Sequence, residues 1–278
     1  MTDVRTISDI EYASADGTTL TLDLHIPAGS EQAPVVLYFH GGGWQVGDKA
    51  ADTQNRLIPL AERGVVVASV QYRFASQSLY PAQVHDAKAA VRWVRANGAN
   101  FDLHVDRLGV WGASAGGYVA SMLALTSGDA ELEGTVGAHG DQDSSVQAAV
   151  AWFAPSDLTM SSRRSPLESQ LVPPPPEPPL FGIDKVEDEL DRVRRASPAW
   201  RAHAAAPPFL LAHGDHDLLV AERESHTLHD ALTRAGASST LVTLGGAGHE
   251  GPEFDSAAHL ALTAAFMQAH LTSDRTTD

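Results

Sequence analysis

One serine in the sequence has the neighbours that a nucleophile needs. Residues 112–116 read Gly-Ala-Ser-Ala-Gly, so Ser114 fits the pattern G-x-S-x-G, with an apolar run before it and an amphipathic run after it. At a tight strand-to-helix turn the backbone of such a serine is strained, and only small flanking residues permit it. Its hydroxyl then stands clear of the sheet at a helix N-terminus, where developing negative charge is favoured. We therefore predict that Ser114 is a nucleophile, and an ordinary glycine-rich turn is the alternative.

A base for this serine has to be chosen among 13 histidines. A serine hydroxyl is a poor nucleophile at neutral pH until a base removes its proton. His249 lies in a glycine-rich loop directly after the last predicted strand, from which a base can swing over the strand ends. His226 and His229 fall inside a predicted helix. His259 falls inside another, where we expect it at the surface, so the sequence favours His249.

Two aspartates compete for the part of the acid that orients this base. Asp215 and Asp217 both lie on the loop after an apolar predicted strand, between the serine and the histidine in chain order. Asp217 lies deeper in the loop, from where it can reach His249. Asp215 is better placed to stabilise the turn through side-chain to backbone hydrogen bonds. We predict Asp217 as the acid and keep Asp215 as the alternative.

A third motif, His-Gly-Gly-Gly-Trp at residues 40–44, follows an apolar predicted strand. Glycines let successive backbone N–H groups converge on one oxygen without obstruction by side chains. We predict that the N–H groups of Gly42, Gly43 and Ala115 bind an oxyanion. Trp44 is predicted to line the substrate pocket. A phosphate-binding loop is the weaker alternative, because the segment lacks both G-x-G-x-x-G and the lysine of a P-loop.

The elements that position these groups alternate along the chain. A hairpin is predicted at residues 7–12 and 18–25, where apolar and polar residues alternate around Asp16-Gly17. Short apolar runs predict six further strands, at residues 35–39, 65–69, 107–111, 148–153, 209–213 and 240–244. Amphipathic segments predict helices at residues 81–97, 114–127, 221–235 and 254–271. This order predicts an α/β fold with a mostly parallel central sheet, helices on both faces and an active site at the carboxyl ends of the strands.

One segment interrupts this alternation, between about residues 156 and 196. It contains a proline-rich run at residues 173–179, which predicts an extended, stiff conformation. Two interpretations stay open, a solvated surface excursion and a cap or lid over the pocket, since the segment is inserted just before the strand that precedes the acid. Otherwise we predict a single domain over residues 1–278, with a disordered tail at residues 272–278.

The composition limits the partners that the protein can have. The 35 acidic and 19 basic residues give a net charge of -16, which argues against binding to nucleic acid or to an anionic membrane surface. Because there is no cysteine, disulfides, thiolate metal sites and a cysteine nucleophile are excluded. We see no signal peptide and no apolar stretch of about 18 residues, so we expect a cytoplasmic protein. The predicted site needs neither metal nor cofactor, and a homodimer is one option for the oligomeric state.

Taken together, these motifs resemble the bacterial esterases related to hormone-sensitive lipase. The resemblance is strongest to the small HGGGW-type esterases, which include feruloyl and acetyl-xylan esterases and arylformamidases, and it spans about residues 18–268. It includes three further stretches: Gln-Tyr-Arg at 71–73, Tyr-Pro-Ala-Gln-Val-His-Asp at 80–86 and Ala-Ser-Pro at 196–198. The insert at residues 161–195 departs from the short connection that is usual in that family, which leaves the shape of the pocket open.

The resemblance implies an α/β-hydrolase fold and assigns roles to the site residues. It implies that the triad and the oxyanion donors are the six residues predicted above: Ser114, Asp217 and His249, and Gly42, Gly43 and Ala115. It also implies structural roles for Arg73 and Asp86, in support of the oxyanion loop.

The function that follows is a serine carboxylic-ester hydrolase for short-chain or small aromatic acyl esters. One rival is an arylformamidase acting on N-formylkynurenine, because residues 40–44 also fit that motif. Another is a tailoring hydrolase, acyltransferase or lactonase of specialised metabolism, in which the proline-rich insert shapes a pocket for a bulky compound. A non-catalytic binding protein is disfavoured, because such proteins usually lack one member of the triad.

Overall fold

A computed structural model describes residues 3–29, 33–163, 165, 170, 172 and 174–272. Its centre is an eight-stranded sheet, and the strands are β1 (Val4–Ala15), β2 (Thr18–Pro27), β3 (Val35–Phe39), β4 (Val66–Val70), β5 (Leu108–Ala113), β6 (Ala148–Trp152), β7 (Phe209–Gly214) and β8 (Ser239–Leu244). Their order across the sheet is β1-β2-β4-β3-β5-β6-β7-β8. β2 pairs antiparallel with β1 and β4, and the remaining pairs are parallel. The predicted hairpin and the mostly parallel sheet are confirmed.

The central strands are buried on both faces. Every residue of β3, β4, β5, β6 and β7 is buried. Continuously apolar strands of this kind are stable only where helices cover the sheet from both sides, which is the arrangement that parallel sheets require. β1 and β8 form the two edges and are partly exposed. Because β3, β5, β7 and β8 run parallel, their carboxyl ends lie at the same end of the sheet. Each of these ends is followed by predicted site residues.

Helices cover the two faces of the sheet. They are α1 (Ile58–Ala61), α2 (Ala82–Asn97), α3 (Ala115–Leu125), α4 (Ala130–Glu133), α5 (Glu177–Phe181), α6 (Leu190–Arg195), α7 (Arg223–Ala235) and α8 (Ala257–Leu271). One core contains Val84 of α2, Tyr118 of α3 and Leu228 of α7, and the other contains Leu60 of α1 and Met267 of α8. Within the described ranges, none of the helices combines the length and the apolar character of a membrane span.

Shorter helical turns complete the connections. A π-helical turn covers Thr53–Leu57, and 3-10 turns cover Gly98–Phe101, Met160–Arg163, Val186–Glu189 and Pro198–Trp200. Two of the 3-10 turns lie in the insert, which thus contains local helical structure as well as loops.

The last part of the proline-rich run is helical, whereas the sequence predicts an extended conformation. Pro178 and Pro179 lie in the first turn of α5. Proline is tolerated there because the N–H groups of a first turn have no acceptor within the helix. Leu180 is fully buried, and its carbonyl accepts a hydrogen bond from the N–H of Tyr80 at 2.9 Å. Residues 171 and 173 and the predicted tail beyond Thr272 lie outside the described residues.

Candidate active site

The turn between β5 and α3 holds Ser114 in an unusual backbone conformation. Its φ is 53° and its ψ is -122°, and its N–H donates to the carbonyl of Trp152 at 2.9 Å. A Cβ on Gly112 would lie 2.2 Å from the carbonyl oxygen of Gly116, and one on Gly116 would lie 1.9 Å from that of Phe39. Larger residues at either position would collide with backbone, so the turn requires glycine on both sides of the serine.

His249 bridges this serine and an aspartate. Its Nε2 lies 3.0 Å from Ser114 Oγ, and its Nδ1 lies 2.7 Å from Asp217 Oδ2. Because Nδ1 faces a carboxylate, it carries the ring proton, and Nε2 is left to accept from the serine hydroxyl. The ring of Phe153 packs edge-on against the imidazole, with centroids 4.8 Å apart. Hydrogen bonds at both ring nitrogens and packing on one face fix the orientation of the imidazole.

The carboxylate of Asp217 has hydrogen-bond donors on both of its oxygens. Oδ1 accepts from the N–H groups of Leu219 at 2.8 Å and Val220 at 2.9 Å. Oδ2 accepts from His249 and also lies 3.2 Å from Nε2 of His213. Burial by itself raises the pKa of Asp217, but the hydrogen bonds from His213 and His249 outweigh it and hold the pKa well below its ordinary value. The carboxylate is therefore ionised wherever the protein is folded at neutral pH.

The neighbouring Asp215 has a different partner. Its Oδ1 accepts from the N–H of Gly246 at 2.6 Å. The N–H of His216 donates to the carbonyl of Ala247 at 2.9 Å. Asp215 thus ties the loop after β7 to the loop after β8, while Asp217 contacts His249 directly.

The glycines after β3 form a tight turn next to the serine. Gly42 and Gly43 have φ values of 118° and 59°, which glycine adopts far more readily than other residues. A Cβ on Gly41 would lie 3.4 Å from Cβ of Ser114, so the loop borders the nucleophile. Within the described residues, no protein group accepts a hydrogen bond from the N–H of Gly42, Gly43 or Ala115. These three donors are the ones that the sequence predicts for an oxyanion.

Trp44 does not line the pocket, which corrects the sequence-based expectation. Its side chain is fully buried, and its indole N–H donates to the carbonyl of Ala115 at 3.2 Å. The indole also packs edge-on against Tyr118, with centroids 5.1 Å apart. The tryptophan of the HGGGW motif therefore anchors the glycine loop to the start of α3, and a substrate does not reach it.

A buried ion pair lies behind this loop. Nη2 of Arg73 is 2.6 Å from Oδ1 of Asp86, and the N–H of Arg73 donates to Oδ2 at 2.9 Å. Burial raises the pKa of Asp86, although its bonds to Arg73 oppose that effect. The adjacent Tyr72 donates its hydroxyl to the carbonyl of His40 at 2.8 Å, at the base of the glycine loop. The segment that carries Arg73 is thus connected to the loop through its neighbour.

His259 is not a surface residue, contrary to the sequence-based expectation. It is buried in α8 against Trp152 and Phe254, with ring centroids 4.8 Å and 5.7 Å away. Burial lowers the pKa of His259 to about 4. His259 lies on the face of α8 that covers the sheet. The expectation was wrong because the order of apolar and polar residues along α8 does not show clearly which face is buried.

One residue that contacts the proposed triad, His213, is not predicted from the sequence. It is fully buried near the carboxyl end of β7 and contacts Asp217. The available signal was a histidine inside a continuously apolar strand, where an imidazole needs polar partners.

The insert reaches the glycine loop. Pro176, immediately before α5, has its Cβ 3.5 Å from the position that a Cβ on Gly43 would take. Phe181 of α5 packs on Tyr80, with ring centroids 5.2 Å apart, and Arg192 stacks over Phe181 at 5.5 Å. The described part of the insert therefore packs at the rim of the site.

A sheet of this order, with a strained serine at the turn after β5 and a histidine after β8, defines an α/β-hydrolase. A model of the BD-FAE family matches residues 22–232. The chain belongs to the BD-FAE family.

Known relatives and solved structures agree with this class. The chain is 30% identical to Esterase LipC of Mycobacterium tuberculosis over 79% of this chain and 53% of the relative. It is 28% identical to Esterase LipQ of the same organism, over 84% of this chain and 54% of the relative. The chain thus spans about half the length of these curated relatives. A truncated carbohydrate esterase from gut microbiota superposes with a TM-score of 0.86, 27% identity and 97% coverage of both chains. Esterase 2 of Thermogutta terrifontis, bound to propionate, gives a TM-score of 0.74 at 25% identity, over 98% of this chain and 96% of that one.

Proposed function

We propose that this protein is a serine carboxylic-ester hydrolase that acts on short-chain or small aromatic acyl esters. The observation that carries the proposal is the continuous hydrogen-bonded path from Ser114 through His249 to Asp217, with distances of 3.0 Å and 2.7 Å. The names of the relatives, which are esterases, support the same reaction class.

Acylation begins at the serine hydroxyl. His249 Nε2 takes the hydroxyl proton while Ser114 Oγ bonds to the ester carbonyl carbon, and the carbonyl oxygen becomes an oxyanion. The N–H groups of Gly42, Gly43 and Ala115 stabilise that charge. The imidazolium of His249 then protonates the leaving alkoxide oxygen as the carbon–oxygen bond breaks, which releases the alcohol and leaves the acyl-enzyme.

Deacylation repeats these steps with water. His249 removes a proton from a water molecule that attacks the acyl carbonyl, and the same three N–H groups hold the second oxyanion. Collapse of this intermediate breaks the bond to Ser114 Oγ, which regains its proton from His249, and the carboxylic acid leaves. Asp217, kept ionised by its hydrogen bonds, stabilises the imidazolium in both halves.

The preference for a short acyl group is supported by the position of the insert and by one solved structure. Pro176 packs beside Gly43, and the ring of Phe153 packs against His249. Pro176 therefore lies beside the loop that carries two of the proposed oxyanion donors, Gly42 and Gly43. The esterase of Thermogutta terrifontis was solved with propionate, a short-chain carboxylate, which supports this part of the proposal.

Steady-state hydrolysis of p-nitrophenyl butyrate by Ser114→Ala tests the proposal. We expect kcat to fall by roughly 10⁴-fold or more, to the residual level that binding and the oxyanion donors alone provide. Ser127→Ala, which changes an exposed serine just beyond α3, is the matched control and keeps wild-type activity. Unchanged turnover in Ser114→Ala would refute the proposal. The value of kcat/KM is also measured with N-formylkynurenine. An arylformamidase would have a higher kcat/KM for this amide than for the ester.

A further inference from the structure

His213 makes hydrogen bonds through both nitrogens inside the protein. It is fully buried, and its Nε2 faces two acceptors, Asp217 Oδ2 at 3.2 Å and the carbonyl of Val220 at 2.9 Å. Its Nδ1 lies 2.7 Å from Oγ of Ser225 on α7. Because both partners of Nε2 are acceptors, the ring proton belongs on Nε2, and Nδ1 accepts from the serine hydroxyl. With this assignment the Nε2–H of His213 points towards both the carbonyl of Val220 and the carboxylate of Asp217, the acid of the proposed triad.

Asp217 Oδ2 is therefore shared between two imidazoles. His249 Nδ1 lies 2.7 Å from it and His213 Nε2 lies 3.2 Å from it. A carboxylate oxygen that already accepts one N–H attracts a second proton less strongly, so His213 weakens the stabilisation that Asp217 gives to a protonated His249. Backbone N–H groups hold Oδ1 of Asp217, and the Nε2–H of His213 lies against Oδ2. Because both oxygens are held, the plane of the carboxylate is fixed.

Three acidic residues near this pair lie against other groups. Glu224, next to Ser225 on α7, accepts from the N–H groups of Ser156 and Asp157 at 3.0 Å and 2.8 Å. Asp215 accepts from Gly246. Glu250, which follows His249, has an oxygen 2.9 Å from where a Cβ on Gly41 would be, in front of the serine. His213 is the group that lies against Asp217 from within the sheet.

We propose that His213 is a positioning residue that holds Asp217 in place and, by donating to it, sets the lowest pH at which His249 still acts as a base. This inference rests on the proposed function, since it concerns the base of that reaction. His213 contacts neither substrate nor the attacking oxygen, and it acts through Asp217 alone.

Two substitutions separate the hydrogen bonds of this residue. The amide of His213→Gln extends about as far as Nε2 and can still donate to Asp217. The shorter amide of His213→Asn reaches the position of Nδ1, so it keeps the bond with Ser225 and loses the donation. His229→Asn is the matched control, because its Nδ1 lies 3.0 Å from Oγ of Ser239 in a second histidine–serine pair of α7.

The pH profile of kcat/KM for a p-nitrophenyl ester is the decisive readout. In His213→Asn we expect the midpoint of the acidic limb to rise by roughly half to one pH unit, because Asp217 then stabilises protonated His249 more strongly. We expect kcat to fall by about tenfold, since the carboxylate is held less firmly. In His213→Gln and in His229→Asn the acidic limb stays at the wild-type position.

Two results would overturn the inference. One is an acidic limb of the pH profile that has the same midpoint in His213→Asn as in the wild type. A purely structural histidine would give this result, because its loss changes the thermal stability of the protein without moving the midpoint. The other needs no variant: ¹⁵N NMR of the wild-type protein should show His213 protonated on Nε2 at neutral pH, and a proton on Nδ1 contradicts the donation to Asp217. Ser114→Ala in the same assay distinguishes the two proposals. If that variant is inactive and the limb does not move, this inference alone fails, whereas an active Ser114→Ala overturns the proposed function and this inference with it.

Discussion

The indole N–H of Trp44 donates to the carbonyl of Ala115 at 3.2 Å, which joins the glycine loop after β3 to the first residue of α3. The proposed oxyanion donors come from these two segments, with Gly42 and Gly43 on the loop and Ala115 on the helix. One buried hydrogen bond therefore sets the spacing between the two groups of donors.

Replacing this tryptophan tests its positioning role. In Trp44→Phe we expect kcat to fall by about tenfold while KM changes by less than about twofold, because misplaced donors weaken only the transition state. The measurement is steady-state hydrolysis of acetyl, butyryl and hexanoyl p-nitrophenyl esters. Trp93→Phe, which alters a tryptophan packed on Phe101 away from the site, is the control. A rise in KM that depends on acyl length would instead mean that Trp44 touches the substrate.

Replacing the acid tests both catalysis and the pH dependence of stability. Asp217→Asn should lower kcat by roughly 10⁴-fold, because the amide cannot stabilise the imidazolium or hold its tautomer. The folded-state pKa of Asp217 is lowered, so its contribution to stability is complete above the unfolded pKa of about 4 and is lost as the pH falls further. Urea unfolding across the acidic range should show a flatter loss of stability in Asp217→Asn than in the wild type.

The neighbouring aspartate provides the matched comparison. Asp215→Asn keeps an oxygen that accepts from Gly246, and its kcat should stay within roughly tenfold of the wild type. Equal losses in the two variants would mean that the choice between the two aspartates is wrong.

The buried histidine of α8 gives a second pH dependence. Burial lowers the pKa of His259 to about 4, whereas the unfolded chain titrates near 6.5. The unfolded state therefore binds more protons between these values, and stability falls as the pH drops from about 6.5 to 4. His259→Phe, which keeps an aromatic ring against Trp152, should reduce this loss by about 2 kcal/mol in urea titrations. An unchanged slope would show that the buried ring does not stay neutral.

The insert can be tested through acyl-chain selectivity. Pro176 packs beside Gly43, so Pro176→Gly should raise kcat/KM for octanoyl relative to acetyl esters by about threefold to tenfold. Pro174→Gly, at an exposed position of the same run, is the control. Identical selectivity in all three proteins would favour a surface excursion over a cap.

Sequence patterns succeeded where the information is local. The strands β3 and β7 follow from continuous apolar runs, and the G-x-S-x-G motif marks a turn whose glycines are required by backbone contacts of about 2 Å. Sequence patterns failed where the burial of a side chain depends on how the helices pack on the sheet. The sequence predicts Trp44 at the substrate pocket and His259 at the surface, and only the packing of α3 and α8 against the sheet shows that both are buried. The sequence does not predict α5 for the same reason, because its first turn contains Pro178 and Pro179 and its last residue, Phe181, packs on Tyr80.

The central claim is that Ser114 forms the covalent intermediate, and stoichiometric labelling with a short-chain p-nitrophenyl phosphonate tests it most directly. We predict release of one equivalent of p-nitrophenol per chain, loss of esterase activity in parallel, and a phosphonyl group on the peptide that contains Ser114. The Ser114→Ala protein should release none. Inactivation with the phosphonyl group on another residue, or equal labelling of Ser114→Ala, would contradict the account.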